Sequence, residues 1–143
     1  MINIQIKKVH PKAIVPKAAT SGSACFDLYV CNEFSLYNGY FQKAKTGLVF
    51  EIPKGYFVEV MPRSGLASKG IIIPNSPGII DSDYRGEVVV MLYGLFMKNH
   101  EFFQVGNRIA QCRIVKCEPV QFKTVTKLSE TERGSGGFGS TGK

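Results

Sequence analysis

Apolar residues recur along this chain in short alternating or continuous runs. Ile2–Val9 alternates apolar with polar side chains, and Thr46–Ile52, Gly55–Met61, Gly70–Ile73, Glu87–Tyr93 and Arg108–Lys116 are runs rich in Val, Ile, Phe and Tyr. Such runs predict strands, because side chains alternate across a pleated backbone and branched or aromatic residues pack well on it. Gly, Pro, Asn and Ser separate them, as in Pro53-Lys-Gly55 and Pro74-Asn-Ser-Pro-Gly78. No stretch of 12 or more residues keeps an i, i+3, i+4, i+7 apolar stripe. The pattern predicts an all-β domain: a sandwich, a jelly roll or a small barrel. There is no internal repeat.

The pattern stops near Lys127–Glu132. The last eleven residues, Arg133–Lys143, hold five glycines and a single aromatic ring, Phe138. Such a segment has high backbone entropy and too little apolar surface to join a core. It reads as a frayed linker or as an arm that closes over a ligand, with Phe138 on a flat face and Arg133, Ser140 and Thr141 around phosphate oxygens. The expected organisation is a β domain over 1–127 and a mobile C-terminal arm over 128–143.

At 143 residues and 44% hydrophobic content, the chain is long and apolar enough for one buried core. It has no apolar run of 18 residues, and its N-terminus reads as a strand rather than a leader, so an intracellular protein off the membrane is expected. The net charge of +7 suits a polyphosphate, a nucleic acid or an anionic surface. The basic residues are dispersed and not interleaved with aromatics, which argues against nucleic acid. Cys25, Cys31, Cys112 and Cys117, with His10 and His100, show no zinc-ligand spacing and read as reduced thiols and non-catalytic imidazoles.

Three internal segments carry chemistry. In Pro62-Arg-Ser-Gly65, Arg63 offers a fork of donors and Ser64 a hydroxyl, while Gly65 lets the backbone approach an oxyanion closely. A helical turn starting near Ser64 would add its N–H groups. Asn75–Glu87 reads as a β-hairpin whose arms flank a slot. Within it, Asp81 follows two isoleucines, so partial desolvation would raise its pKa and suit a general base, and Tyr84 supplies a flat ring. The alternative is an acidic turn capping its own backbone. In Gly106-Asn-Arg-Ile-Ala-Gln111, Gln111 donates to an anion or is a surface amide. Gly137–Lys143 fits a G-x-x-x-x-G-K phosphate loop in letters only, since the hydroxyl residue and helix that must follow are missing.

In order along the chain, Ala24-Cys-Phe-Asp27-Leu28, Pro62–Gly65, Gly78–Gly86, Gly106–Gln111 and Arg133–Gly142 resemble the five motifs of the trimeric dUTP diphosphatases (dUTPases). The resemblance spans nearly the whole chain. It implies a jelly-roll subunit in a homotrimer with active sites shared between subunits. It also implies hydrolysis of dUTP to dUMP and pyrophosphate, which limits uracil incorporation into DNA and supplies dUMP for thymidylate synthesis. By the resemblance Asp81 activates the attacking water, and Tyr84 packs on the deoxyribose and excludes a 2′-hydroxyl. Gly78 and Val89 offer backbone groups to uracil, with Asn75, Ile79 and Ile80 beside them. Arg63, Ser64, Gly65 and Gln111 hold phosphates. Phe138 stacks over uracil from a neighbour's arm, and Arg133, Gly139, Ser140 and Thr141 complete the closure. Mg²⁺ would ride on the triphosphate, with Asp27 reaching it only through water.

Two residues depart from that family's pattern. Cys25 stands where glycine is usual, so a left-handed backbone there would be strained. Asn107 stands where aspartate is usual, which removes a negative charge beside Arg108. Rival readings are a dCTP deaminase, which shares the fold and Arg-Ser signature, and a nucleotide-binding interaction protein without turnover. The Asp81–Tyr84 pattern and the Gly-rich tail argue against the first, and an intact Asp81 and Phe138 against the second.

Overall fold

The computed structural model describes residues 2–140. Its elements run β1 (Gln5–Lys8), β2 (Lys17–Ala18), β3 (Phe26–Tyr29), β4 (Phe34–Leu36), β5 (Phe41–Lys45), β6 (Leu48–Glu51) and β7 (Tyr56–Met61). After one helical turn, α1 (Ser64–Ala67), come β8 (Ile71–Ile72), β9 (Gly78–Ile80), β10 (Val89–Gly94), β11 (Glu101–Phe103) and β12 (Arg108–Lys116). The strands form sheets ordered β1-β6, β5-β10-β8, β11-β4 and β2-β3-β12-β7-β9. This is the all-β fold that the run pattern predicts, of the jelly-roll class that the resemblance implies.

Period-two alternation builds the core. Val58 and Val60 of β7, Leu48 and Phe50 of β6, and Val90 and Leu92 of β10 point inward, joined by Leu28, Val30 and Ile109. Burying each such side chain contributes roughly 1.5–3 kcal/mol. Apart from Asp27, one polar residue is sunk among them, Thr46. The Thr46 hydroxyl donates to the Val88 carbonyl at 2.6 Å and accepts from the Leu48 N–H at 3.2 Å. Glu87 accepts from the Gly47 N–H at 2.8 Å. Together these bonds fix where β10 begins, at the edge of the site.

β12 has its predicted bounds, and β1, β6, β7, β8 and β10 lie within a residue or three of theirs. The hairpin expected over Asn75–Glu87 needs correction. β9 ladders on β7 and β10 on β5 and β8, so the two arms enter different sheets and do not pair with each other. The strand β3 was hidden because it carries a charged residue, Asp27, in its buried centre. In β5, Gln42, Lys43 and Lys45 broke the apolar run.

Beyond Cys117, whose N–H donates to the Gly55 carbonyl at 2.8 Å, the chain leaves the domain. Glu118 still pairs with Lys116 of β12 at 2.8 Å, but among the described residues nothing from 119 onward hydrogen-bonds to the sheets, and Val120, Phe122 and Leu128 are exposed.

The four thiols are free. Burial, reinforced by Cys25 and Asp27 nearby, pushes the Cys112 thiol up to about 12, and burial also raises that of Cys31, whereas Cys117 is exposed. At pH 8 Cys117 should alkylate readily, while Cys31 and Cys112 react only on unfolding, as mass spectrometry of iodoacetamide-treated protein would show. The unfolded Cys112 thiol releases its proton near its ordinary 9.0 and the folded one near 12, so stability should fall as pH rises between those values. Rapid labelling of all four thiols in the folded protein would refute this assignment.

Candidate active site

The site grows from the five-stranded sheet. β12 pairs with β7 on one side and β3 on the other, setting Gln111 opposite both Met61 and Asp27. Just past the end of β7, Pro62 turns the chain, and the Gln111 amide donates to the Pro62 carbonyl at 2.9 Å. That bond holds the segment carrying Arg63 against β12. Arg63 Nε then donates to Asp27 Oδ1 at 2.9 Å, and Arg108 reaches Asp27 Oδ2 at 3.4 Å. Asp27 is 8% exposed, so its charge is buried but paired, as burial of a carboxylate requires.

Around this group lies a cavity of about 350 Å³, lined by Asp27, Arg63, Ser64, Gly65, Arg108 and Gln111, with Cys25 at its wall. The expected helical turn is present, and its geometry leaves the N–H groups of Ser64 and Gly65 without intrahelical acceptors. A Cβ on Gly65 would meet nothing of this subunit. No fold contact demands glycine there, whereas a ligand approaching the backbone would. Arg63, Ser64, Gly65 and Gln111 are thus brought together as the sequence suggests. Arg108 joins them, a residue that the sequence reading passed over.

Cys25 does not occupy the left-handed region, so the strain expected of a non-glycine residue there is absent. Asn107 keeps a turn role: its Oδ1 accepts from the Gln104 N–H at 2.8 Å.

Asp81 lies elsewhere. Val60 pairs with Gly78 and Val58 with Ile80, so Asp81 comes opposite Phe57, at the far end of β7 from Arg63. Six residues of extended chain separate those ends by roughly 20 Å. Asp81 is exposed beside Ile79, itself 49% exposed, so the apolar edge expected to desolvate it is not provided by its own subunit. A broad open depression of Tyr56, Phe57, Ile79, Asp81 and Asp83 surrounds it. The Tyr84 N–H closes a turn on the Asp81 carbonyl at 3.2 Å, and the Tyr84 hydroxyl donates to the Glu87 carbonyl at 3.2 Å. The ring folds over Gly86, where a Cβ would overlap it. Asn75 stands beside Gly78.

β9 is the outer strand of its sheet, and the Val89 end of β10 has no partner on the β8 side. Both therefore present free backbone N–H and C=O groups. In the tail, Arg133 Nε donates to the Gly136 carbonyl at 2.9 Å and Ser140 N–H to the Gly137 carbonyl, so the segment bonds only to itself. Phe138 is fully exposed beside Gly139. The structure does not bring Arg133, Phe138, Gly139 and Ser140 to the cavity, and Thr141 lies outside the described residues. Among the described residues, no group of three or more His, Cys, Asp or Glu side chains could hold a metal ion, and no helix is long and apolar enough to cross a membrane.

A family model, dUTPase, matches residues 11–142. A deoxyuridine 5′-triphosphate nucleotidohydrolase of Helicobacter pylori (strain Shi470) is 43% identical over 142 residues, covering 99% of this chain and 97% of the relative. One from Nautilia profundicola is 44% identical over 145 residues, covering 99% and 100%. Among solved structures, a Staphylococcus bacteriophage 80alpha dUTPase mutant with dUpNHpp superposes with a TM-score of 0.85 at 26% identity, covering 98% of both chains. The dUTPase of phage phi11 of S. aureus, described with a structural Mg(II) ion, gives 0.82 at 19% identity and covers 90% of this chain and 99% of that one.

The glycine contacts yield a contrast. At Gly86 a new Cβ displaces only the exposed Tyr84 ring, whereas at Gly94 it meets the Tyr37 backbone carbonyl and the Met97 sulfur. Gly86→Ala should change stability by less than about 1 kcal/mol while expelling the Tyr84 ring. Gly94→Ala should cost about 1–3 kcal/mol or more. Thermal unfolding of both variants checks the order, and equal melting temperatures would contradict it.

Proposed function

The chain belongs to the dUTPase family, and on that premise we propose that it hydrolyses dUTP to dUMP and pyrophosphate. The observation that carries this reading is the cavity where Arg63, Arg108, Ser64, Gly65 and Gln111 converge on one volume. Two guanidiniums, a hydroxyl and free N–H groups are the donors that a triphosphate requires. Phosphoryl transfer depends on positioning and charge stabilisation, and this set supplies both.

The uracil edge binds the free backbone of Gly78 and Val89, with Asn75, Ile79 and Ile80 framing the base. The Tyr84 ring, pinned through its hydroxyl, lies against the sugar and fills the space that a 2′-hydroxyl would need. Asp81 takes a proton from the water that attacks the α-phosphorus, and pyrophosphate leaves. The gap of roughly 20 Å between Asp81 and Arg63 makes this impossible within one subunit, because the reacting groups must be within hydrogen-bond reach of one substrate. A homotrimer resolves the difficulty by placing the Asp81 of one chain at the Arg63 of another. The neighbour also supplies the burial that Asp81 lacks here.

The tail fits the same arrangement. Residues 119–140 leave Val120, Phe122 and Leu128 exposed and make no bond to their own sheets, so a neighbour is their natural support. From there the arm over 128–143 closes the site. Phe138 stacks on uracil, and Arg133, Gly139, Ser140 and Thr141 meet the terminal phosphate.

The donor chemistry accepts Mg²⁺ only as part of the nucleotide. The cavity's one carboxylate, Asp27, is already engaged by two guanidiniums, so phosphate oxygens and water must supply most of the ligands. The cation, when bound, screens the triphosphate charge. The product dUMP would serve thymidylate synthesis, and removal of dUTP would limit uracil incorporation into DNA.

Asp81→Asn should lower kcat by about 10²–10⁴-fold and leave affinity for dUpNHpp largely unchanged, because the amide keeps the shape but cannot accept the proton. Steady-state hydrolysis and calorimetric binding measure the two. Near-normal turnover by the folded variant would remove Asp81 from the mechanism.

A further inference from the structure

Glu87 and Val88, just before β10, are tied to Thr46 and Gly47, which link β5 to β6, and to Leu48. The Val88 N–H donates to the Leu48 carbonyl at 2.8 Å. The Val88 carbonyl accepts from the Thr46 N–H at 3.3 Å and from the Thr46 hydroxyl at 2.6 Å. Glu87 is held instead through its own side chain, whose Oε1 accepts from the Gly47 N–H at 2.8 Å. Its backbone carbonyl accepts in turn from the Tyr84 hydroxyl at 3.2 Å.

Gly47 is a fixed anchor for that carboxylate. It is buried, and its carbonyl accepts from the Val9 N–H at 2.8 Å. Its φ of +70°, with His10, Ala13 and Cys31 crowding the place of a Cβ, leaves no room for a side chain. Among the described residues the Gly47 N–H meets no other acceptor, and a buried N–H must be satisfied. A carboxylate makes a stronger bond to it than a neutral oxygen would. Tyr84 is the opposite case. Its ring is 44% exposed, and its hydroxyl bond to Glu87 is what fixes it. Contacts therefore run without a break from buried Gly47, through Glu87, to the exposed Tyr84 ring.

Resting on the reading in which Tyr84 excludes a 2′-hydroxyl, we infer that Glu87 is the positioning residue for sugar selection. It acts through Tyr84 and not by touching the nucleotide. By holding the carbonyl on which the Tyr84 hydroxyl rests, it keeps the ring from yielding to the extra bulk of a ribose. What the role requires is an acceptor oxygen at the reach of a glutamate side chain, so glutamine can fill it and alanine cannot.

The test is steady-state hydrolysis of dUTP and UTP by the intact wild type, Glu87→Ala, Glu87→Gln and Tyr84→Phe. The readout is the ratio of kcat/KM for dUTP to that for UTP, which loss of folded protein alone does not move. Glu87→Ala should lower the ratio about 10-fold, the worth of one hydrogen bond to a charged acceptor. Glu87→Gln should lower it less than about 3-fold, because its amide oxygen accepts the same N–H. Tyr84→Phe lacks the hydroxyl and should lose selectivity as Glu87→Ala does. Adding Glu87→Ala to it should cost little more, because both changes cut the same line of contacts. An unchanged ratio in folded Glu87→Ala overturns the inference, as does Glu87→Gln being as unselective as Glu87→Ala. Full multiplication of the two losses in the double variant also overturns it. If Glu87→Ala does not fold, Tyr84→Phe still decides, since it alters only an exposed side chain, and an unchanged ratio there overturns the inference. In each of these cases the wild type still prefers dUTP, and the dUTP reading stands. A folded wild type that hydrolyses neither nucleotide, or both equally, overturns that reading and this inference with it.

Discussion

Strand β7 is paired on both sides, and its two ladders govern the layout of the site. On one side β12 places Gln111 against Met61, tying the Arg63 turn to the end of the strand. On the other side β9 runs antiparallel from Val60 to Val58, which carries the chain to Asp81 at the opposite end. Hydrogen-bonded registers do not slide, because a one-residue slip would send every buried side chain of β7 to the wrong face. Arg63 and Asp81 are therefore held apart by the same ladders that build the core. The proposed reaction therefore requires that two chains meet.

The cavity shows how a buried charge is made useful. Asp27 sits within a strand where an isolated carboxylate would be costly, and two arginines from different segments neutralise it. The same contacts stiffen those arginines. Packing and function depend here on one cluster: the β12 bulge that delivers Arg108 is fixed by buried Ile109 and Ala110, and the turn that delivers Arg63 is fixed by Gln111.

Much of this was legible in the sequence, for identifiable reasons. β12 announced itself through nine residues of sustained β character, and Arg63-Ser-Gly65 through three residue types that together suit an anion. That residues 133–140 join no sheet was legible, because a Gly-rich segment has little to pack. Arg108 was not, since strand periodicity puts it on the wrong face and nothing in the letters signals a bulge. The hairpin reading failed because turn residues specify where a chain reverses and not which sheet each arm joins. Asp81 is exposed within this chain because Ile79 beside it is exposed too, and adjacency in the sequence does not record burial.

Subunit sharing can be tested by complementation. Asp81→Asn and Arg63→Ala proteins, each inactive alone, are unfolded together in equal amounts and refolded. If every site takes Asp81 from one subunit and Arg63 from the next around a closed ring, each mixed trimer regains one intact site of three. Random mixing then restores about a quarter of wild-type dUTP hydrolysis. Activity no greater than the sum of the two separate variants, in trimers shown to be mixed, would contradict the shared site.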